Sequence, residues 1–170
     1  MKFCKPDRDP AQVRLLAAVS IAVPLVAFLS ATLMESYASF MNMLGLVSLM
    51  TGILLNVRFT LTEYEYGASP ECFSVVKILG SRRTEVCNID LSTAIGLYKE
   101  SDYEHLPASE KGRIKYSLTQ NICARDVYVF LCEFNGQRTM IRFEPNGAFV
   151  AILRDYIEAA LSAEGEDSPL

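Results

Sequence analysis

Two uncharged apolar runs, Leu15 to Met34 and Ala38 to Val57, constrain this chain more than any other feature. Each holds 20 residues without a Lys, Arg, Asp, Glu or His. At about 1.5 Å rise per residue, a helix of that length crosses a hydrocarbon layer of roughly 30 Å. Only Glu35, Ser36 and Tyr37 separate the runs. The spacing therefore predicts an antiparallel transmembrane hairpin over residues 13–57, with helices at about 15–34 and 38–57 and a very short turn. Small residues recur four apart at Ala18/Ala22, Ala27/Ala31 and Ser48/Gly52, a spacing that lets helix backbones approach closely. They are expected to close the hairpin itself, with a homo-oligomer formed through the same residues as the alternative. Asn42 and Asn56 are the only strongly polar residues in the runs. Asn42 is read as an interface-level side chain rather than an interhelical hydrogen-bond partner. The lack of ionisable residues inside the runs argues against a transporter or channel, whose pathways need such groups.

Basic residues orient the hairpin. Lys2, Lys5, Arg8 and Arg14 precede the first run, Arg58 follows the second, and the turn has neither Lys nor Arg. The positive-inside rule then places both termini in the cytoplasm of a multi-pass plasma-membrane protein. A cleaved secretory signal is the rival, but Leu15 to Met34 exceeds the usual apolar core of about 7 to 15 residues, and Met34-Glu35-Ser36-Tyr37-Ala38 offers no clean cleavage site. Five cysteines, odd in number and without C-x-x-C spacing, suit buried reduced thiols better than a disulfide framework.

Residues 1–12 are polar, contain Pro6 and Pro10, and are predicted as a disordered cytoplasmic leader. Residues 58–162 form the one soluble domain, and residues 163–170 an acidic disordered tail. From residue 58 onward there are 12 Lys/Arg against 17 Asp/Glu, a balance of 12 − 17 = −5, which disfavours a nucleic-acid partner.

After Arg58 the hydrophobic period changes to two. Phe59 to Tyr66 sets Tyr64 and Tyr66 on one face and Glu63 and Glu65 on the other, which predicts a strand. Further strands are predicted over Cys72–Leu79, Arg83–Asp90, Leu91–Tyr98, Arg113–Leu118, Asp126–Phe134 and Gln137–Phe143. Gly80-Ser81 and Asn135-Gly136 make hairpin turns. Asp126–Phe134 is apolar on both faces, as a central strand is. Lys99 to Gly112, with Pro107, four acidic residues and the single histidine, is predicted as a surface loop. Pro145 and Asn146 then open a helix whose apolar stripe, Phe149, Ile152, Leu153, Tyr156 and Ile157, must lie on the strands. Gly165 is expected to end it.

The order of about seven antiparallel strands and one C-terminal amphipathic helix resembles the pleckstrin-homology superfold. The stretches Phe73-Ser-Val-Val-Lys-Ile-Leu-Gly-Ser-Arg-Arg-Thr-Glu-Val86 and Phe143-Glu-Pro-Asn-Gly-Ala-Phe-Val-Ala-Ile-Leu153 look like the PH-like domains that many bacteria carry directly after a pair of membrane helices. The resemblance implies an α+β, mainly β split barrel plugged by the helix, and transfers architecture without biochemistry. Phosphoinositide-binding relatives place Lys and Arg around their first hairpin. Lys77, Arg82 and Arg83 are the nearest equivalent here, although Arg82 and Arg83 are adjacent rather than one apart. With Arg58 they make a candidate lipid-binding set, each residue contributing about 1 kcal/mol near an anionic surface.

His105 lies among Glu100, Asp102, Glu104 and Glu110, but one histidine in an acidic loop lacks metal-ligand spacing. No nucleophile elbow, phosphate-binding glycine loop or paired catalytic carboxylates occur. No cofactor, metal site or enzyme activity is expected. Two functions remain: a membrane-tethered cytoplasmic binding or scaffold module that recruits a protein partner to the inner membrane face, and a lipid head-group sensor using the basic hairpin. The acidic domain favours the first.

Overall fold

The computed structural model describes residues 1–166. The chain divides into two compact units, one formed by Arg8–Thr62 and the other by Met1–Asp7 together with the chain from Glu63 onward.

The helical unit contains α1 (Pro10–Leu33) and α2 (Ala38–Asn56), joined by a 3-10 turn at Glu35–Tyr37. Asp9 caps α1 by accepting from the Ala11 N–H at 2.9 Å, and Pro10 sits at the first position, where no amide hydrogen is needed. The helices meet along Pro24, Ala27 and Ala31 of α1 and Gly45 and Gly52 of α2, all buried. At Gly45 an added Cβ would stand 2.7 Å from the Phe28 ring, so the ring would have to shift to admit a side chain. Ala18 and Ala22, two of the small residues expected to close the hairpin, are instead exposed. The polar bond across the helices comes from Asn56, whose Nδ2 donates to Ser20 Oγ and to the Gly52 carbonyl, both at 2.8 Å, while Asn42 is exposed.

The strand expected from Phe59 begins later. Val57–Leu61 continues α2 as a π-helical turn, closed by Thr62 Oγ1 donating to the Val57 carbonyl at 2.9 Å. Arg8 Nη2 donates to the Thr62 carbonyl at 3.1 Å and so ties the entry of the unit to its exit.

The second unit has two four-stranded sheets. One is ordered β1-β2-β3-β4, from Lys2–Cys4, Thr62–Ala68, Cys72–Leu79 and Arg82–Asp90. The other is ordered β5-β7-β8-β6, from Ala94–Lys99, Tyr128–Phe134, Gln137–Phe143 and Arg113–Ser117. Four differences from the sequence expectation have identifiable causes. The leader is not disordered over its first residues: Lys2, Phe3 and Cys4 pair with Ala68, Gly67 and Tyr66 as the edge strand β1, and Cys4 is buried. Leu91–Thr93 is a 3-10 turn capped by Asp90, so β5 starts at Ala94. Among the described residues there are thus eight strands, and β6 runs parallel to β8, because the long segment after β6 carries the chain past β8 to begin β7. The acidic stretch after β5 is more than a loop, since α3 (Glu100–Glu104) buries Tyr103 with Val129, Leu131 and Met140 on the outer face of the second sheet. Tyr103 Oη is held by the Gly112 N–H at 2.8 Å, and at Gly112 a Cβ would fall 2.7 Å from Leu131.

β7 is central, with Phe130 and Cys132 in the main core and Val129 and Leu131 in the second cluster. Its hairpin to β8 turns through Asn135 (φ 52°) and Gly136 (φ 70°), the left-handed pair that Asn-Gly supplies at low cost.

The C-terminal helix α4 (Gly147–Glu166) is capped by Asn146, whose Oδ1 accepts from the Phe149 N–H at 2.9 Å. Phe149, Leu153 and Ile157 are buried in the main core, Tyr156 is half-buried against it, and Ile152 is half-buried. The helix continues through Gly165 to Glu166, so the expected tail does not begin at residue 163; residues 167–170 of that tail lie outside the described residues.

The core is bridged by one phenol. Tyr66 of β2 is fully buried; its hydroxyl donates to the Leu118 carbonyl at 2.7 Å and accepts from the Glu144 N–H at 3.2 Å. Burial raises its pKa above the ordinary tyrosine value and keeps it a neutral donor.

Tyr66→Phe should destabilise the domain by about 1 to 3 kcal/mol, since it leaves a buried carbonyl and amide without this partner. Phe149→Ala should cost about 3 to 5 kcal/mol, while Arg154→Ala and Glu158→Ala on the exposed face should change stability by less than about 0.5 kcal/mol. Urea denaturation of the full chain in detergent checks both. Truncation at Arg58 would confound it by removing β1.

Candidate binding surface

The β3–β4 hairpin carries three of the four basic residues singled out in the sequence. Its register pairs Lys77 with Thr84, Ile78 with Arg83 and Leu79 with Arg82. Paired residues share a face and successive residues alternate. Lys77 and Arg82 therefore stand on one face with Leu79, and Arg83 stands on the other. There Arg83 lies 3.5 Å from Glu65 of β2, which also approaches Lys5 at 4.0 Å. Arg83 remains 64% exposed in its side chain, so this pair contributes at most about 1 kcal/mol. It nevertheless commits Arg83 to a carboxylate of the domain's own. Arg58 belongs to the helical unit, where its guanidinium lies 5.0 Å from the centroid of the Phe59 ring. The structure thus does not gather Lys77, Arg82 and Arg83 onto one face.

Sequence reasoning missed Glu65. Strand alternation placed it outward, but only the registry of β1, β2, β3 and β4 reveals which cations it meets.

β4 is the terminal strand of its sheet and is nine residues long, Arg82–Asp90. The register slips between Val75 and Val76, so Val86 is an extra residue on β4, a bulge of the kind that bends an edge strand. Arg82 to Glu85 are exposed, while Val86, Cys87 and Ile89 are partly covered. At its end the Asp90 carboxylate accepts from the Ser92 N–H at 2.9 Å, and hydrogen bonding from Ser92 holds its pKa below the ordinary carboxylate value. The edge offers main-chain groups and a mixed-charge border rather than a cationic pocket.

A polar network fixes the opposite end of the sheets. Glu144 accepts from the Asn121 N–H at 3.2 Å and from Asn121 Nδ2 at 2.9 Å, and Nδ2 also donates to the Asp7 carbonyl at 2.8 Å. Gln120, buried, accepts from the Tyr64 N–H at 3.2 Å. These contacts order the segment between β6 and β7 and leave Ile122 and Cys123 exposed at its tip. Cys4 and Cys132 are buried, and burial raises the Cys4 pKa above the ordinary thiol value, which opposes thiolate formation. His105 is exposed just after α3. Among the described residues, no three His, Cys, Asp or Glu side chains converge as metal ligands would.

No curated protein and no solved structure matches this chain. The family model of the bacterial PH-like domain (DUF6106) matches residues 6–162, a span that begins just after β1, takes in both apolar helices, and ends within α4. Two sheets, a C-terminal helix set into their shared core and two long apolar helices within the same matched span agree with that model, and the chain belongs to the bacterial PH-like domain family.

Proposed function

We propose that this chain is a membrane-tethered binding module, in which α1 and α2 cross the plasma membrane and the PH-like domain recruits a protein partner to its cytoplasmic face. The observation that carries the reading is the place of the helices in the chain. They form the connection between β1 and β2, neighbouring strands hydrogen-bonded in one sheet. Strands cannot pair across a bilayer, so a chain that leaves β1 and returns to β2 must cross an even number of times. Two helices satisfy that condition, and both termini then lie on one side. The basic residues around the helix ends select the cytoplasmic side.

The helices themselves support a lipid environment. Their apolar windows have mean hydropathies of 2.2 and 1.7, with only 17% and 11% of those residues buried within the chain. A helix at the heart of a soluble domain would be covered by protein. For the domain, a role in binding rather than catalysis is favoured by a dispersed basic hairpin and by the open edge of β4, to which an extended segment of a partner could add as a further strand.

The topology is checked by C-terminal fusions. A fluorescent-protein fusion should fluoresce and an alkaline phosphatase fusion should be inactive; an active phosphatase would reverse the orientation. The binding role is checked by placing a photo-crosslinking residue at Thr84 or Asn88 on β4 and, as a control, at Arg154 on α4 of the intact protein in its membrane. A discrete protein adduct should form from β4 and not from α4, and no adduct from either strand position would defeat the proposal.

A further inference from the structure

Met1 and Phe3 are each 60% exposed although they belong to the edge of a well-packed sheet. They project side by side over Gly67, where an added Cβ would lie 2.7 Å from Met1 Cε and 3.2 Å from Phe3 Cε1. The missing side chain at Gly67 thus lets them form one small apolar ridge on the outer face of β1. By alternation Lys5 continues the face of Met1 and Phe3, 4.0 Å from Glu65, while Lys2 stands on the other face of the strand, and both lysines are exposed. An aromatic and a thioether side chain, with exposed ammonium groups on both faces of the same strand, make an amphipathic edge suited to the boundary between lipid headgroups and acyl chains.

Chain length supplies the second argument. Phe3 pairs with Gly67, and β2 starts at Thr62 immediately after the helical turn ending at Leu61. Six residues of chain reach at most about 20 Å, so the ridge cannot stray far from the end of the second helix. α1 has 24 residues and is about 36 Å long, longer than a hydrocarbon core of roughly 30 Å, which brings its first turn among the headgroups. The segment before Leu15 contains Lys2, Lys5, Arg8 and Arg14 against Asp7 and Asp9, a balance of 4 − 2 = +2, within a chain of net charge −4. Its positive charge is concentrated where an anionic surface would be met.

We infer that the Met1–Lys5 strand is an interfacial anchor, with Met1 and Phe3 seated among the headgroups of an anionic membrane and Lys2 and Lys5 against lipid phosphates. It would hold the domain against the bilayer surface instead of leaving it to swing on its connections. This rests on the membrane-spanning reading of α1 and α2.

The chain contains no tryptophan, so Phe3→Trp introduces a single fluorophore at the ridge and Leu46→Trp, in a second variant, one at the exposed middle of α2. The full chain is reconstituted in phosphatidylcholine vesicles with and without phosphatidylglycerol, and each tryptophan is tested for quenching by lipids brominated near the headgroup or deep in the chain. The Phe3→Trp emission should be blue-shifted and quenched by shallow bromines in phosphatidylglycerol vesicles. That quenching should fall in neutral vesicles and when Lys2 and Lys5 are changed to Glu. If Leu46→Trp is quenched by deep bromines while Phe3→Trp emits as in water, the anchor is lost and the tether stands. If neither is quenched, the membrane reading fails and takes the anchor with it. Blue-shifted but unquenched Phe3→Trp emission would mean a protein surface covers the ridge. Equal quenching in neutral and anionic vesicles would overturn the role given to the lysines.

Discussion

The Tyr66 hydroxyl is the interaction on which the domain depends. It joins β2 in one sheet to the chain leaving β6 and the chain leaving β8 in the other, through Leu118 and Glu144. Its ring stands edge-on to Phe143 at 5.3 Å and 6.5 Å from Phe149 of α4. One side chain therefore supplies a polar bridge between the sheets and an apolar seat for the helix. A phenylalanine would fill nearly the same volume and leave two main-chain groups without this partner, a cost comparable with several good surface contacts. From Glu144 the same bonding continues through Asn121 to the Asp7 carbonyl, so the chain leading out of β1 is fixed by the network that closes the sheets.

The position of the apolar helices alters how such a domain can form. The 57 residues between Cys4 and Thr62 must be spanned before β1 can pair with β2. A flexible connection of that length would carry an appreciable closure entropy. Two antiparallel helices, packed through Gly45 and Gly52 and bonded by Asn56 to Ser20, bring their outer ends together in advance. The bond from Arg8 to the Thr62 carbonyl finishes the closure at the base. The helical unit is thus the connection between β1 and β2.

Charge is distributed on the domain so as to avoid a single cationic pocket. Arg83 faces Glu65 while Lys77 and Arg82 share the other side of their hairpin. Arg142 pairs with Glu100 at the start of α3, and Lys99 approaches Asp126 at 3.4 Å. Exposed pairs of this kind contribute little to stability. Their larger effect is on recognition: the basic residues of the domain, Lys5 among them, are spread among its own carboxylates.

The sequence by itself determined the two apolar helices, the hairpin at Asn135-Gly136, the inward faces of Tyr64 and Tyr66 and the stripe on α4. Each follows from a local period or from one turn's dihedral demand, which needs no knowledge of distant residues. Tertiary structure alone decided the rest. β1 is too short and too polar to announce itself, and becomes a strand only because β2, more than fifty residues later, presents a free edge. Phe59 lies in a π-helical turn instead of a strand because Thr62 bonds back to Val57. Lys77 and Arg83 lie on opposite faces because of a register that the pattern of either strand alone leaves open. Tyr103 was hidden in an acidic stretch, since one aromatic among charges has no period, yet it finds a buried place once the second sheet offers Val129, Leu131 and Met140. Periodicity is written along the chain, whereas pairing partners are chosen by surfaces that exist only after the strands have met.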